Sequence, residues 1–175
     1  MQYPKLLDPT TTEAVELSSG KVVHVPKSTP SFELWNGKPV NDTYGGKVVL
    51  SLGDKPAFAE LVVLNTFVRE GWAGVWVDTY RNKFRTEYWP ANEVELPKEA
   101  HDLLQSINTI NGSRKGCWDV YCWKDHCFVF IECKAKGKDA IRESQRKWLA
   151  SAIQSGLSLD SFLIVEWSPS QKRAP

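Results

Sequence analysis

From residue 54 onward the apolar positions fall into three helical stripes separated by short strand-like runs. Ala57, Leu61, Leu64 and Val68 recur at helical spacing behind Asp54-Lys55-Pro56, an acidic cap with proline in the first turn, and Gly71 ends the stretch. Residues 75–80 read as a strand and residues 97–110 as a second helix, with Leu103, Leu104 and Ile107 on one side. After a polar basic loop at 111–116 come two strand-like runs, 117–123 and 127–134, broken only by Lys124-Asp125-His126. They predict one tight β-hairpin. A third helix is expected over about 139–154, carrying Ile141, Trp148, Leu149, Ala152 and Ile153, and residues 161–167 close as a strand. With the helix at 97–110 set aside, the order is α-β-β-β-α-β. That order predicts an α/β fold with a mixed sheet and a helix on each side.

Residues 1–52 follow a different pattern and are expected to form a small β-rich appendage. Residues 21–25 and 47–50 are strand candidates, and 31–35 and 38–40 flank Asn36-Gly37, a dipeptide suited to a two-residue hairpin turn. Pro26, Pro30 and Pro39 keep these strands short or at sheet edges. No residue in this part carries obvious chemistry. The expected organisation is therefore 1–52 appendage, 53–168 main domain and 169–175 polar tail.

The 175 residues are 42% hydrophobic and 25% charged, ordinary for a globular domain, with eight tryptophans and a net charge of +1. No apolar run is long enough to span a bilayer and the first residues lack a signal-peptide core, so a cytoplasmic protein is expected. Near-neutral charge neither requires nor excludes a nucleic-acid partner. Cys117, Cys122, Cys127 and Cys133 cluster with His126, which raises the question of zinc. No C-x-x-C pair is present and strand parity separates the sulfurs, so buried thiols are the favoured reading.

The chemistry concentrates on the predicted hairpin. Strand alternation puts Asp119, Tyr121 and Trp123 on one side of the first strand, and Phe128, Phe130, Glu132 and Lys134 on one side of the second. Asp119 and Glu132 fall at the ends away from the turn, where they can face each other. Like charges buried there call for a cation, and Mg²⁺ prefers oxygen ligands and keeps waters for chemistry. A surface hairpin with Glu132 and Lys134 paired in water is the plainer alternative. The apolar run 127–131 ahead of Glu132 favours a central strand with a site at its end.

The pattern G-x-x-D at 116–119, an apolar strand, E-x-K at 132–134 and a following helix with Gln145 resembles the PD-(D/E)XK nuclease superfamily. The runs Ile131-Glu132-Cys133-Lys134 and Glu143-Ser144-Gln145-Arg146-Lys147-Trp148-Leu149, with Gly156, resemble its VRR-NUC branch, the virus-type replication-repair nucleases. The resemblance spans about residues 54–167 and departs at Trp118, where the family commonly has proline. It implies a restriction-endonuclease-like αβββαβ core and a metal-dependent phosphodiester hydrolase acting on structured or duplex DNA. Mg²⁺, with Mn²⁺ able to substitute, and a homodimer are implied with it.

Carried over residue by residue, the resemblance makes Asp119, Glu132 and the backbone carbonyl of Cys133 metal ligands. Lys134 would orient or deprotonate the attacking water and offset charge on the phosphate. Glu60 matches the acid of the family's first helix and could serve a second metal or a water. It shares a helix face with Val63, Leu64 and Phe67, an awkward place for a charge, although a first-turn acid also favours the helix dipole. Gln145 matches the family glutamine and would support the water or Lys134; a glutamine at the edge of the apolar stripe is the alternative. The mechanism implied is in-line attack of an activated water on phosphorus, with a 3′-oxygen leaving.

Basic residues flank this acidic centre. Arg114 and Lys115 precede it, and Lys136, Lys138, Arg142 and Arg146 follow, placed to grip phosphates on either side of the cut. Trp118 and Trp123 could stack on bases, but aromatic residues in hairpins are more often core. A non-catalytic nucleic-acid-binding protein that keeps the fold is the rival reading, and the joint presence of Glu60, Asp119, Glu132, Lys134 and Gln145 argues against it.

Overall fold

The computed structural model describes residues 3–88, 93–137 and 140–170. Its strands are β1 (Thr11–Glu16), β2 (Val22–Ser28), β3 (Ser31–Glu33), β4 (Leu50–Leu52), β5 (Lys55–Ala57), β6 (Ala73–Asp78), β7 (Lys83–Arg85), β8 (Val120–Lys124), β9 (Cys127–Ala135) and β10 (Phe162–Ser170). The helices are α1 (Ala59–Arg69), α2 (Lys98–Asn111) and α3 (Glu143–Gln154).

The β8–β9 hairpin is the centre of the sheet. Lys124 pairs with Cys127 across Asp125-His126, and both turn residues have positive φ (47° and 62°), as the favoured two-residue hairpin turn requires. Alternation then sends Val129 and Ile131 to one face and Tyr121 and Phe130 to the other. On the first face they meet Leu61, Leu64 and Phe67 of α1. On the second they meet Ile107 of α2 and Trp148 of α3. Tyr121 and Phe130 stack with ring centres 4.2 Å apart, and Phe130 meets Trp148 edge-on at 4.8 Å. Helices on both faces explain why the run 127–131 is apolar without a polar alternation.

Around the hairpin the strand order is β1-β2-β10-β9-β8-β6-β7. β8 is antiparallel to both of its neighbours, β6 and β9, whereas β10 runs parallel to β9, the connection passing through α3. A parallel neighbour needs such a long crossover. The architecture is α/β with a mixed sheet, and α1, β6, β8, β9, α3 and β10 follow one another in the expected order, with β7 and α2 inserted after β6.

The first fifty residues are β-rich and continuous with this sheet. β2 pairs parallel to β10, β1 pairs antiparallel to β2, and Leu7, Phe32 and Leu50 are buried in the α1-side core. Lys27 on β2 ties its two neighbouring strands to it, bridging Glu13 of β1 at 2.9 Å and Glu166 of β10 at 3.1 Å.

Several expectations are corrected. The Asn36-Gly37 hairpin does not form: β3 pairs instead with the end of β10, and the Trp35 ring lies under Gly37, where a Cβ would sit 2.2 Å from it. The indole N–H donates to Lys38 O at 2.8 Å, closing the segment on itself. Residues 47–49 are not strand. Asp54-Lys55-Pro56 is no helix start, because Gly53-Asp54 turns β4 into β5, with Gly53 at φ +65°, and α1 begins only at Ala59 behind buried Phe58. Helix α3 begins at Glu143, and Asp139, its expected start, lies outside the described residues. β10 continues to Ser170 rather than ending at 167, since β3 supplies a partner for residues 168–170.

Candidate active site

Asp119 stands immediately before β8. The last ladder pair is Val120 with Ile131, so one further step sets Asp119 level with Glu132. Two hydrogen bonds fix it there. Val77 N–H donates to Asp119 O at 2.8 Å, and Cys133 N–H donates to the Asp119 carboxylate (Oδ2) at 3.0 Å.

The loop reaching Asp119 passes close to the start of α3 at Gly116. Its φ is +89°, and a Cβ there would lie 2.0 Å from Ser144 O. Only glycine permits both that dihedral and that approach. The contact sets the α3 N-terminus beside the hairpin end, where Gln145 acts as a hub. Its Oε1 accepts Arg142 N–H at 2.9 Å, satisfying a helix-end donor. The same oxygen accepts from Lys134 Nζ at 3.3 Å, and Gln145 Nε2 donates to Glu132 Oε1 at 2.6 Å.

Lys134 and Glu132 share a face two residues apart on β9, as strand parity predicts, and both are buried. Lys134 Nζ lies 3.0 Å from Glu132 Oε1 and donates to Ala140 O at 2.9 Å. With Gln145, its three N–H bonds have three acceptors, which holds the ammonium in one place.

Glu60 enters from the opposite helix layer, in the first turn of α1. Buried among Ala59, Leu61 and Val63, its carboxylate is met by the ammonium of Lys47. No pattern in the sequence marks Lys47 as a site residue: it reads as the start of the strand candidate 47–50 and reaches the site only through tertiary folding. The buried ion pair of Asp78 and Arg85, Nε to Oδ2 3.0 Å, is also unforeseen: Arg85 reads as part of a polar stretch, yet is 1% exposed on β7.

Burial pushes the Asp119 carboxyl well above its ordinary range, and the charges of Glu132 and Glu60 push it further, against the Cys133 N–H and Lys47. Burial also raises Glu132, which Lys134 and Gln145 partly offset. Among the described residues, Glu132 Oε2 is buried without a hydrogen-bond partner. Two carboxyls forced upward beside an unsatisfied acceptor oxygen fit an oxygen-seeking divalent cation. Among the described residues no three His, Cys, Asp or Glu side chains converge as a metal cage. Glu60 and Glu132 each face an ammonium, leaving a site of few carboxylates. Such a set suits Mg²⁺, which keeps several of its waters.

These residues line one cleft of about 850 Å³, together with Cys133, Arg114, Lys115 and Arg142. Arg146 and Lys136 are not on its lining, and Lys138 lies outside the described residues. Arg146 is half-buried, and its Nε has no hydrogen-bond partner among the described residues. Trp118 is wholly buried against Phe162, so it packs rather than stacks on bases. Cys117 and Cys122 are buried on opposite faces of the sheet, and Cys127 is exposed, so the thiols do not assemble around a zinc. Comparisons with protein-family models, with curated proteins and with solved structures return no match to this chain.

Proposed function

We propose that this chain is a metal-dependent nuclease, a phosphodiester hydrolase of the PD-(D/E)XK type, acting on duplex or structured DNA. The observation that carries the reading is the convergence of Asp119, Glu132 and Lys134 at one end of the central hairpin, with Gln145 bridging the last two. Asp119, Glu132 and the carbonyl of Cys133 would hold Mg²⁺ or Mn²⁺, which supplies Lewis-acid stabilisation and lowers the pKa of a water.

The chain's own residues account for the rest. Lys134, its donors already engaged, is suited to offsetting negative charge on the phosphoryl oxygens rather than to taking a proton. Gln145 keeps Glu132 turned toward the cleft. Arg114, Lys115 and Arg142 on the cleft wall suit the phosphates flanking the cut. Attack of water on phosphorus forms the new P–O bond as the bond to the 3′-oxygen breaks. The proton lost by the water passes to solvent, and the departing oxygen is protonated from it.

The test is incubation of labelled duplex, single-stranded, flap and four-way-junction DNA, and an RNA control, with Mg²⁺, Mn²⁺ or EDTA. Metal-dependent cutting by the wild type is expected, lost in Asp119→Ala and in Lys134→Ala while circular dichroism shows both folded. Cutting retained by both variants overturns the proposal.

A further inference from the structure

We propose that Lys47, delivered by the N-terminal segment and held by Glu60, is a phosphate-binding residue of this site, a fixed cation standing where a second metal would otherwise be needed. The inference rests on the nuclease reading and extends it to a part of the chain outside the resemblance.

Lys47 is positioned by an unusually constrained loop. Its N–H donates to Thr43 O at 2.8 Å, and Gly45 and Gly46 both take positive φ (81° and 98°) to close that turn. Tyr44 also has positive φ (52°), costly for an aromatic residue and maintained only where surroundings enforce it. They do so here. The Tyr44 ring packs at 5.3 Å from Phe58 and 5.2 Å from Trp76, and the Arg81 guanidinium covers it at 3.9 Å. Arg81 also binds Asp42 at 2.6 Å, locking the start of the loop to the end of β6. The loop is clamped to the sheet, and its last residue is the lysine.

At its tip, Lys47 Nζ meets the Glu60 carboxylate and stands 5.8 Å from the Phe58 ring centre and 5.5 Å from that of Trp76. Rings at that distance favour a cation. The Glu60 side chain is 9% exposed but that of Lys47 is 36% exposed, and both line the cleft that holds Asp119 and Glu132. An ammonium has three donors. Among the described residues Glu60 is the one carboxylate that meets it, so donors remain for a phosphate oxygen on the cleft side. Lys134 differs, since its three donors are all engaged within the protein. Glu60 is thereby a positioning residue for Lys47, and the metal would be held by Asp119 and Glu132 without it.

The experiment measures duplex DNA binding in EDTA, which prevents metal-dependent turnover, over a range of KCl. Each phosphate contact contributes about 0.9 to the slope of log Kobs against log [KCl]. Lys47→Met should make the slope shallower by about that amount, and Lys47→Arg should keep it. The double variant Lys47→Met with Glu60→Gln leaves no unpaired buried carboxylate and serves if the single variant does not fold. A lysine that only neutralised Glu60 would leave the slope unchanged in the double variant. That result, or no binding by the wild type, overturns the inference. Mg²⁺-dependent cutting by the wild type with an unchanged slope removes Lys47 from the site and leaves the nuclease reading intact. A shallower slope with no cutting under any metal keeps the phosphate contact and removes hydrolysis.

Discussion

The side-chain amide of Gln145 donates to Glu132 Oε1 at 2.6 Å while its oxygen accepts from Lys134 and from the N–H of Arg142. One neutral residue thus orients an acid, a base and a helix start. Gln145→Leu leaves the Arg142 N–H unpaired and removes from Glu132 and Lys134, already paired at 3.0 Å, the amide that orients both. Loss of a group that orients metal ligands typically costs about 10–100-fold in activity or metal affinity. That loss is expected in kcat or in the Mg²⁺ requirement, with KM for DNA little changed. Steady-state kinetics at several Mg²⁺ concentrations checks it.

Asp119 is the acid most disfavoured as a carboxylate, so its removal should stabilise the metal-free protein. Its folded pKa lies above the unfolded value of about 3.9. The folded state therefore binds the proton more tightly than the unfolded state does. Stability of the metal-free protein should fall as pH rises from that unfolded value through the folded one, and rise on acidification across the same window. Asp119→Asn is expected to raise Tm in EDTA at neutral pH, each kcal/mol of relief appearing as about 2–4 °C. It should also weaken the pH slope and abolish stabilisation by Mg²⁺. Thermal melts with EDTA or Mg²⁺ across pH test all three effects, and an unstabilised variant would remove the repulsion from the account.

Arg85 and Asp78 form a pair 1% and 2% exposed respectively. Arg85→Met leaves the buried Asp78 carboxylate with the Arg81 N–H at 3.1 Å and the Arg81 guanidinium at 3.8 Å, so the loss should fall toward the lower end of the about 3–5 kcal/mol that breaking a buried pair from one side costs. Replacing both residues, Arg85→Met with Asp78→Leu, should recover part of that loss, since Arg81 gives up the same partner. Urea unfolding of the two variants discriminates the pair from a packing effect, which the double change would not repair.

Gly116 joins the Asp119 loop to α3. Its alanine variant must move Ser144 and abandon a left-handed dihedral, and overpacking of this kind costs about 1–3 kcal/mol. Displacement of the α3 N-terminus also shifts Gln145. The proposed nuclease activity should therefore fall further than the unfolded fraction explains, as parallel activity and denaturation measurements would show.

Much of the candidate site was legible before folding, because its members are related within elements or across one short turn. A strand alternates with period two, so Glu132 and Lys134 had to share a face. A short break at Lys124-Asp125-His126 then brought Asp119 and Glu132 to the same end of the hairpin, and the observed two-residue turn at Asp125-His126 sets them level. The apolar stripe of α3 likewise set Gln145 near the inward side. Local pattern misled where a segment had a better distant partner. Asn36-Gly37 suits a hairpin turn, but Ser31–Glu33 gains its hydrogen bonds from Ser168–Ser170, far along the chain.

The sequence by itself determined which side chains share a face of β9, where the apolar stripes of the helices lie, and that the chain folds as α/β with a mixed sheet. These follow from covalent geometry, which acts over a few residues. Tertiary structure alone decided that β1 and β2 extend the sheet beyond β10, that Arg85 is buried against Asp78, and that Lys47 reaches Glu60. Such contacts depend on which surfaces pack together after the elements form. A lysine heading a short apolar run carries no periodic signal of the carboxylate it will meet.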